Sequence, residues 1–144
     1  MLDTNILLTA TDEGRAGHEQ ALDVINGWPA QGTALYTSGQ IIREYLSVAT
    51  RPTTQNGLGL PVPDALDNAH AFRFRMLMLA EDAKVADRLA ELLEETKCGG
   101  KQVHDANVVA TMLVHGVGTI VTLNTGDFAR FSQHVQVSGL PGAG

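Results

Sequence analysis

Four acidic residues stand at places in this chain where acids are expensive or unusual: Asp3, Glu44, Asp105 and Asp127. Asp105 precedes Val108, Val109, Met112 and Leu113, whose spacing marks one apolar helical face, and the carboxylate falls on that same face. Glu44 lies between Ile41, Tyr45 and Val48 on a second apolar stripe. Asp3 follows the apolar pair Met1-Leu2, and Asp127 lies in the turn Asn124-Thr125-Gly126-Asp127-Phe128 after a β-rich run. Singly, each has an ordinary explanation. Asp3 suits a turn or helix cap, and Glu44 can lie at the stripe's margin and pair with Arg43 or Arg51. Jointly they imply a cation, because clustered carboxylates repel and do not all ionise together without one. Oxygen-only ligands suit Mg²⁺ or Mn²⁺, which also bind phosphate oxygens. Such an ion activates water and neutralises the leaving oxygen of a phosphodiester. Asn5, Thr122, Asn124 and Thr125 are the polar neighbours available to orient ligands or waters.

The elements that must hold these acids alternate between strand and helix. Met1-Leu2 is a very short strand, and Ile6-Leu7-Leu8 begins a helix. A helix runs from about Gly17 to Trp28, ended by Gly27 and Pro29. Residues 34–37 form a strand, and Ser38 caps a helix over 40–49. The Pro-, Gly-, Thr- and Asn-rich stretch 51–63 is a loop, long enough to serve as a lid or binding loop and equally readable as an idle surface loop. A helix follows to about Arg75, then a short buried strand over 76–79, then an amphipathic helix to about Lys97 closed by Cys98-Gly99-Gly100. The helix from His104 to Gly116 leads to a strand at 119–123, one helical turn over 128–131, an edge strand at 135–137, and a frayed tail from Leu140 to Gly144. The alternation predicts an α/β fold of three layers, α/β/α, with a central, mainly parallel sheet of four to five strands, in one domain over 1–144. Sites in such sheets form at the carboxyl ends of the strands, where all four acids are expected.

Totals narrow the classes. A chain of 144 residues with 44% hydrophobic residues suits one soluble globular core. It shows no secretory leader and no run of the ~20 apolar residues a membrane span requires. Its one cysteine, Cys98, excludes an internal disulfide and a cysteine-based zinc site, and these features favour the cytoplasm. Net charge of −6 argues against a broad basic nucleic-acid surface but not against a small metal-bridged site. Zinc is disfavoured, since His104 is the only histidine near the expected site and capping or solvent exposure explains it. There is no Gly-rich phosphate loop and no GxSxG elbow. A phospho-accepting receiver domain would want two adjacent early acids and a lysine after a late strand; here Asp3 stands alone and no lysine follows Lys101.

Taken together, Leu2-Asp3-Thr4-Asn5, Arg43-Glu44, Arg51-Pro52 with Asn56-Gly57-Leu58-Gly59, Val103-His104-Asp105-Ala106 and Thr122-Leu123-Asn124-Thr125-Gly126-Asp127-Phe128 give a chain that resembles PIN-domain ribonucleases. It is more closely similar to the VapC-type toxins of toxin–antitoxin modules. The resemblance implies a PIN fold, Mg²⁺- or Mn²⁺-dependent endonucleolytic cleavage of RNA, a homodimer, and inhibition by a cognate antitoxin. Asp3, Glu44 and Asp105 match the family's three core acids; the fourth falls in some relatives where Asn124 stands here and in others at Asp127, which we favour. Relatives carry a longer apolar strand before the Asp-Thr-Asn motif, so either the first strand is short here or the natural start lies upstream. Arg15, Arg43, Arg51, Lys101 and Arg130 are candidates to hold flanking phosphates, and chain position does not rank them. The alternatives are a PIN domain that binds RNA or protein with little catalysis, and a metal-dependent DNA nuclease.

Overall fold

The computed structural model describes residues 1–142. Its sheet is assembled around the first three residues. The Met1 backbone nitrogen donates to Thr119 O (2.8 Å), Val121 N to Met1 O (2.9 Å), and Asp3 N to Val121 O (3.0 Å). On the other side Leu2 N donates to Tyr36 O (3.2 Å). Met1–Asp3 therefore joins two parallel strand pairs. One is β1 (Tyr36–Ser38) with β2 (Leu77–Leu79), and the other is β3 (Thr119–Val121) with β4 (Gln136–Ser138). The spatial order is β2, β1, Met1–Asp3, β3, β4, with β1–β2, β3–β4 and the Leu2–Val121 bridge parallel. Neighbours on both sides satisfy the backbone of these three residues.

Helices cover this sheet as the three-layer α/β/α reading requires. α1 (Thr4–Thr11) starts at Asp3, whose side chain accepts from Thr4 N, and nearly all of it is buried. α2 (His18–Leu22) continues through a π turn at Asp23–Gly27 into α3 (Trp28–Ala30). Gly27 and Pro29 therefore do not end the helix at Trp28. Pro29 sits in the first turn of α3, where its missing N–H costs nothing. Ser38 caps α4 (Gly39–Thr50), accepting from Ile41 N. Tyr45 is fully buried at the junction of α1, α4 and α5 (Val62–Arg75). Its hydroxyl meets Thr11 Oγ1 (2.9 Å) and accepts from Asn68 Nδ2 (3.1 Å), and its ring lies edge-on to Phe72. On the other side α6 (Ala83–Thr96) packs against α7 (Gln102–Val114), which presents Val108, Val109 and Met112 to the core. α8 (Thr125–Phe128) and a 3₁₀ turn at Ala129–Phe131 follow β3.

Two expectations change. The strand at 76–79 is not buried along its length, for Leu77 and Met78 are exposed on the sheet's edge. A short apolar run does not tell an edge position from a central one. The tail is not frayed at Leu140, which is buried in the core; Ala143 and Gly144 lie outside the described residues. Among the described residues no helix is long and apolar enough to cross a membrane.

Candidate active site

The carboxyl edge of the sheet brings the first acid under tight control. Asp3 is buried, and its two oxygens accept from Thr4 N (2.8 Å), Thr122 Oγ1 (2.7 Å) and Asn5 Nδ2 (3.1 Å). Asn5 also donates to Thr122 Oγ1 (3.3 Å) and accepts from Leu123 N (3.1 Å), while Asn124 N donates to Thr122 Oγ1 (3.0 Å). Three of the four expected supporting residues, Asn5, Thr122 and Asn124, are thus linked around Asp3. Thr125 opens α8 nearby, exposed. Burial raises the Asp3 carboxyl above its ordinary value; the donors from Thr122, Thr4 and Asn5 oppose that rise, and the charge of Glu44 adds to it.

Thr4 connects the first acid to the second. Its backbone N–H serves Asp3, and its hydroxyl donates to Glu44 Oε2 at 2.7 Å. The other oxygen of Glu44 accepts from Gln40 Nε2 (2.8 Å), one helical turn earlier on α4. Among the described residues Glu44 makes no ion pair with Arg43 or Arg51.

Asp105 stands half-buried in the first turn of α7. Its carboxyl is pushed up to about 6, first by burial and then by the charges of Asp3, Asp127 and Glu44, with Arg130 pulling it down. That pattern places the four acids around one region. Asp127 is exposed in the first turn of α8, and its carbonyl accepts from Arg130 Nε (3.2 Å). Asn124, the other position for a fourth acid, contributes its backbone N–H to Thr122.

The acids are gathered but not drawn together. Among the described residues no three Asp, Glu, His or Cys side chains stand close enough to grip one ion directly. Asp3 and Glu44 are held by hydroxyl and amide donors and share Thr4 between them. Mg²⁺ and Mn²⁺ fit this arrangement. The donors are all oxygens, the mutual repulsion at Asp105 is what a cation relieves, and Mg²⁺ retains several waters while using only one or two carboxylates. Zinc, which prefers His and Cys, does not fit.

Three polar residues escaped the sequence reading: Gln40, Glu81 and Asn107. Gln40 is buried and fully used. Its Nε2 also donates to His104 O (2.9 Å), its Oε1 accepts from Asn107 Nδ2 (2.7 Å), and its backbone N–H donates to Glu81 Oε2 (2.8 Å). Asn107 donates as well to Glu81 Oε1 (2.7 Å). This network pins α4, with Glu44, to the start of α7, with Asp105. Only the i, i+4 spacing of Gln40 and Glu44 is local; the links to Asn107 and Glu81 join residues far apart in the sequence, which no spacing reveals.

The cationic candidates separate. Arg130 belongs to the site. Arg43 and Arg51 line a cavity of about 420 Å³ with Glu44 and Thr4. Arg15 pairs with Asp12 (3.4 Å) past the far end of α1, away from Asp3. Lys101 stands exposed before α7.

The chain is thus an α/β protein whose candidate site lies at the carboxyl ends of its parallel strands, with acids from the first strand, α4, α7 and α8. The chain belongs to the PIN domain family, whose model matches residues 1–133. It is 29% identical over 133 residues to Ribonuclease VapC48 of Mycobacterium tuberculosis, covering 90% of this chain and 89% of that protein. In structure it is similar to VapBC2 from Rickettsia felis bound to a DNA fragment from their promoter (TM-score 0.66, 17% identity, 96% of each chain). It is similar also to VapBC-1 from nontypeable Haemophilus influenzae (TM-score 0.66, 17% identity, 97% of this chain and 96% of that one). At these identities the solved structures speak for the fold.

Proposed function

We propose that this PIN-domain chain is a divalent-metal-dependent endoribonuclease, the toxin of a toxin–antitoxin pair, working as one domain over residues 1–144. The observation that carries the reading is geometric: Asp3 and Glu44 meet through Thr4 at the sheet's carboxyl edge, beside Thr122 and Asn5, and burial with the neighbouring acids raises the carboxyl of Asp105. Such a site favours a cation. We assign Asp3, Glu44, Asp105 and Asp127 to hold Mg²⁺ or Mn²⁺, directly or through water. A bound ion there would supply an activated water and offset charge on the leaving oxygen.

The chain's own residues do the positioning. Thr122, Asn5 and Thr4 hold Asp3 in one orientation, and Thr4 with Gln40 holds Glu44. Asp127, exposed at the rim, is free to reach ligands on the substrate side. The similarity to Ribonuclease VapC48 supports RNA as the substrate. The VapBC neighbours support a cognate antitoxin as partner. A homodimer in the cytoplasm completes the reading. Phe74, 91% exposed at the end of α5, and Leu77, 59% exposed on β2, offer apolar surface for a second copy to cover.

The test is cleavage of single-stranded RNA and DNA by the purified chain after chelation, then with Mg²⁺ or Mn²⁺ restored. The expected result is metal-dependent RNA cleavage, reduced at least ~100-fold in Asp3→Asn and Asp105→Asn. Metal-independent cleavage, or equal activity in the variants, overturns the scheme. Preferred cleavage of DNA would make the chain a DNA nuclease, and RNA binding without nicking would make it a binding module.

A further inference from the structure

We propose that the cavity lined by Arg43 and Arg51 is a phosphate subsite that takes an RNA backbone phosphate next to the scissile one. This rests on the ribonuclease reading above. The cavity, about 420 Å³, is bounded by Thr4, Arg43, Glu44, Ser47, Val48 and Arg51. It shares a wall with the acidic edge, since Thr4 and Glu44 belong to both and are bonded to each other at 2.7 Å. A strand whose reacting phosphate lies at the acids therefore has its neighbouring phosphate within reach of the cavity.

The charges there are uncommitted. Among the described residues neither Arg43 nor Arg51 makes an ion pair, and the two oxygens of Glu44 are already taken by Thr4 and Gln40. A chain of net charge −6 that gathers four acids at its site repels a polyanion unless local cations offset it. Guanidinium groups match phosphate with paired, charge-assisted hydrogen bonds.

One wall is also rigidly built. The loop after α4 folds back on the helix end: Leu58 N donates to Val48 O (3.1 Å), Gly59 N to Arg51 O (2.8 Å) and Leu60 N to Ala49 O (2.9 Å). Gly57 packs so closely on Arg51 that a Cβ at position 57 would lie 1.9 Å from Arg51 O, which no side chain tolerates. The stretch between α4 and α5 thus buttresses the backbone of Arg51. Its glycine is required at the point of contact.

Arg43→Ala and Arg51→Ala are made in the intact chain and, separately, on an Asp105→Asn background. Binding of a short single-stranded RNA to the Asp105→Asn forms is followed by fluorescence anisotropy from 50 to 300 mM salt. Each alanine should weaken binding about tenfold and flatten the slope of log K against log salt by about 0.7. Lysine at either position should restore the slope. In the cleaving chain each alanine should raise KM about tenfold and leave kcat within about twofold, because the lost contact is to a phosphate that does not react. Lys84→Ala, on α6, serves as the control and should change neither. Slopes and KM unchanged in both arginine variants would overturn the subsite even if the chain cleaves RNA. A chain that cleaves nothing but loses RNA binding in the arginine variants would keep the subsite and overturn the nuclease reading instead.

Discussion

The hydroxyl of Thr122 donates to Oδ2 of Asp3 at 2.7 Å, a buried contact between residues 119 positions apart. It ties the end of β3 to the end of the first strand at the point where the acids collect. The bond favours the charged carboxylate, opposing the rise that burial imposes. Thr122→Val keeps the shape and removes the donor. We expect a loss of about 2 kcal/mol at pH 7, in the range for a hydrogen bond to a charged group. The loss should shrink as acid protonates Asp3, since a neutral carboxyl needs the donor less. Urea unfolding of both proteins at pH 7 and pH 4 checks this, and an equal gap at the two pH values would count against an ionised Asp3.

Asp105 makes the stability of the whole fold depend on pH. Its carboxyl titrates near 6 folded, against 3.8 ordinarily, so the folded chain holds the proton more tightly. Its contribution to stability is present in full below about pH 4 and is lost as pH rises through about 6. Asp105→Asn should therefore match the parent at pH 4 and exceed it at pH 7, by about 1–2 kcal/mol once solvent screening of a half-exposed group is allowed for. Millimolar Mg²⁺ should raise the melting temperature of the parent at pH 7 more than that of the variant. Calorimetry at both pH values, with and without the ion, reads both effects.

Those two residues also mark what a sequence can and cannot disclose. The apolar spacing of Val108, Val109 and Met112 reveals α7 and turns Asp105 inward, because period and burial are local properties. Asp3 is legible for the same reason, as an acid directly after an apolar strand. Gln40 and Asn107 are not. They lie 67 positions apart, and each alone looks like an ordinary polar helix residue until the fold sets their side chains at 2.7 Å. The exposed edge at Leu77 and Met78 was hidden in the same way. Four apolar residues in a row look alike in a central strand and an outer one, and only the strand order decides.

Gln40 is predicted to position Glu44 rather than to touch substrate. Gln40→Leu deletes the donor to Glu44 Oε1 and leaves Asn107 Nδ2 with one acceptor, Glu81. The expected cost in stability is about 1–3 kcal/mol, for a network with buried polar atoms left unpaired. The expected kinetic effect is a fall in kcat of roughly 10–100-fold with KM nearly unchanged, because a misplaced Glu44 weakens the reacting state and not RNA binding. Asn107→Ala should act in the same direction and more weakly, and the double variant should be less than additive. A purely structural role would instead lower the active fraction, leaving kcat per folded molecule intact.

The last prediction concerns the chain's end. Leu140 is 5% exposed, and its Cδ2 lies about 3.0 Å from where a Cβ at Gly17 would stand. Gly17 has φ of +87°, which favours glycine, so the start of α2 and Leu140, two residues past β4, are fitted to each other. Leu140→Ala opens a cavity that a rigid neighbourhood fills only partly, and should destabilise the fold by about 2–4 kcal/mol. The acids lie at the strand ends around Asp3, and none of their hydrogen bonds involves Leu140. Cleavage per folded molecule should therefore stay within about twofold at temperatures where the variant remains folded. Denaturant midpoints paired with single-turnover cleavage separate the two effects, and a variant as stable as the parent would show that the end of the chain is not anchored by this side chain.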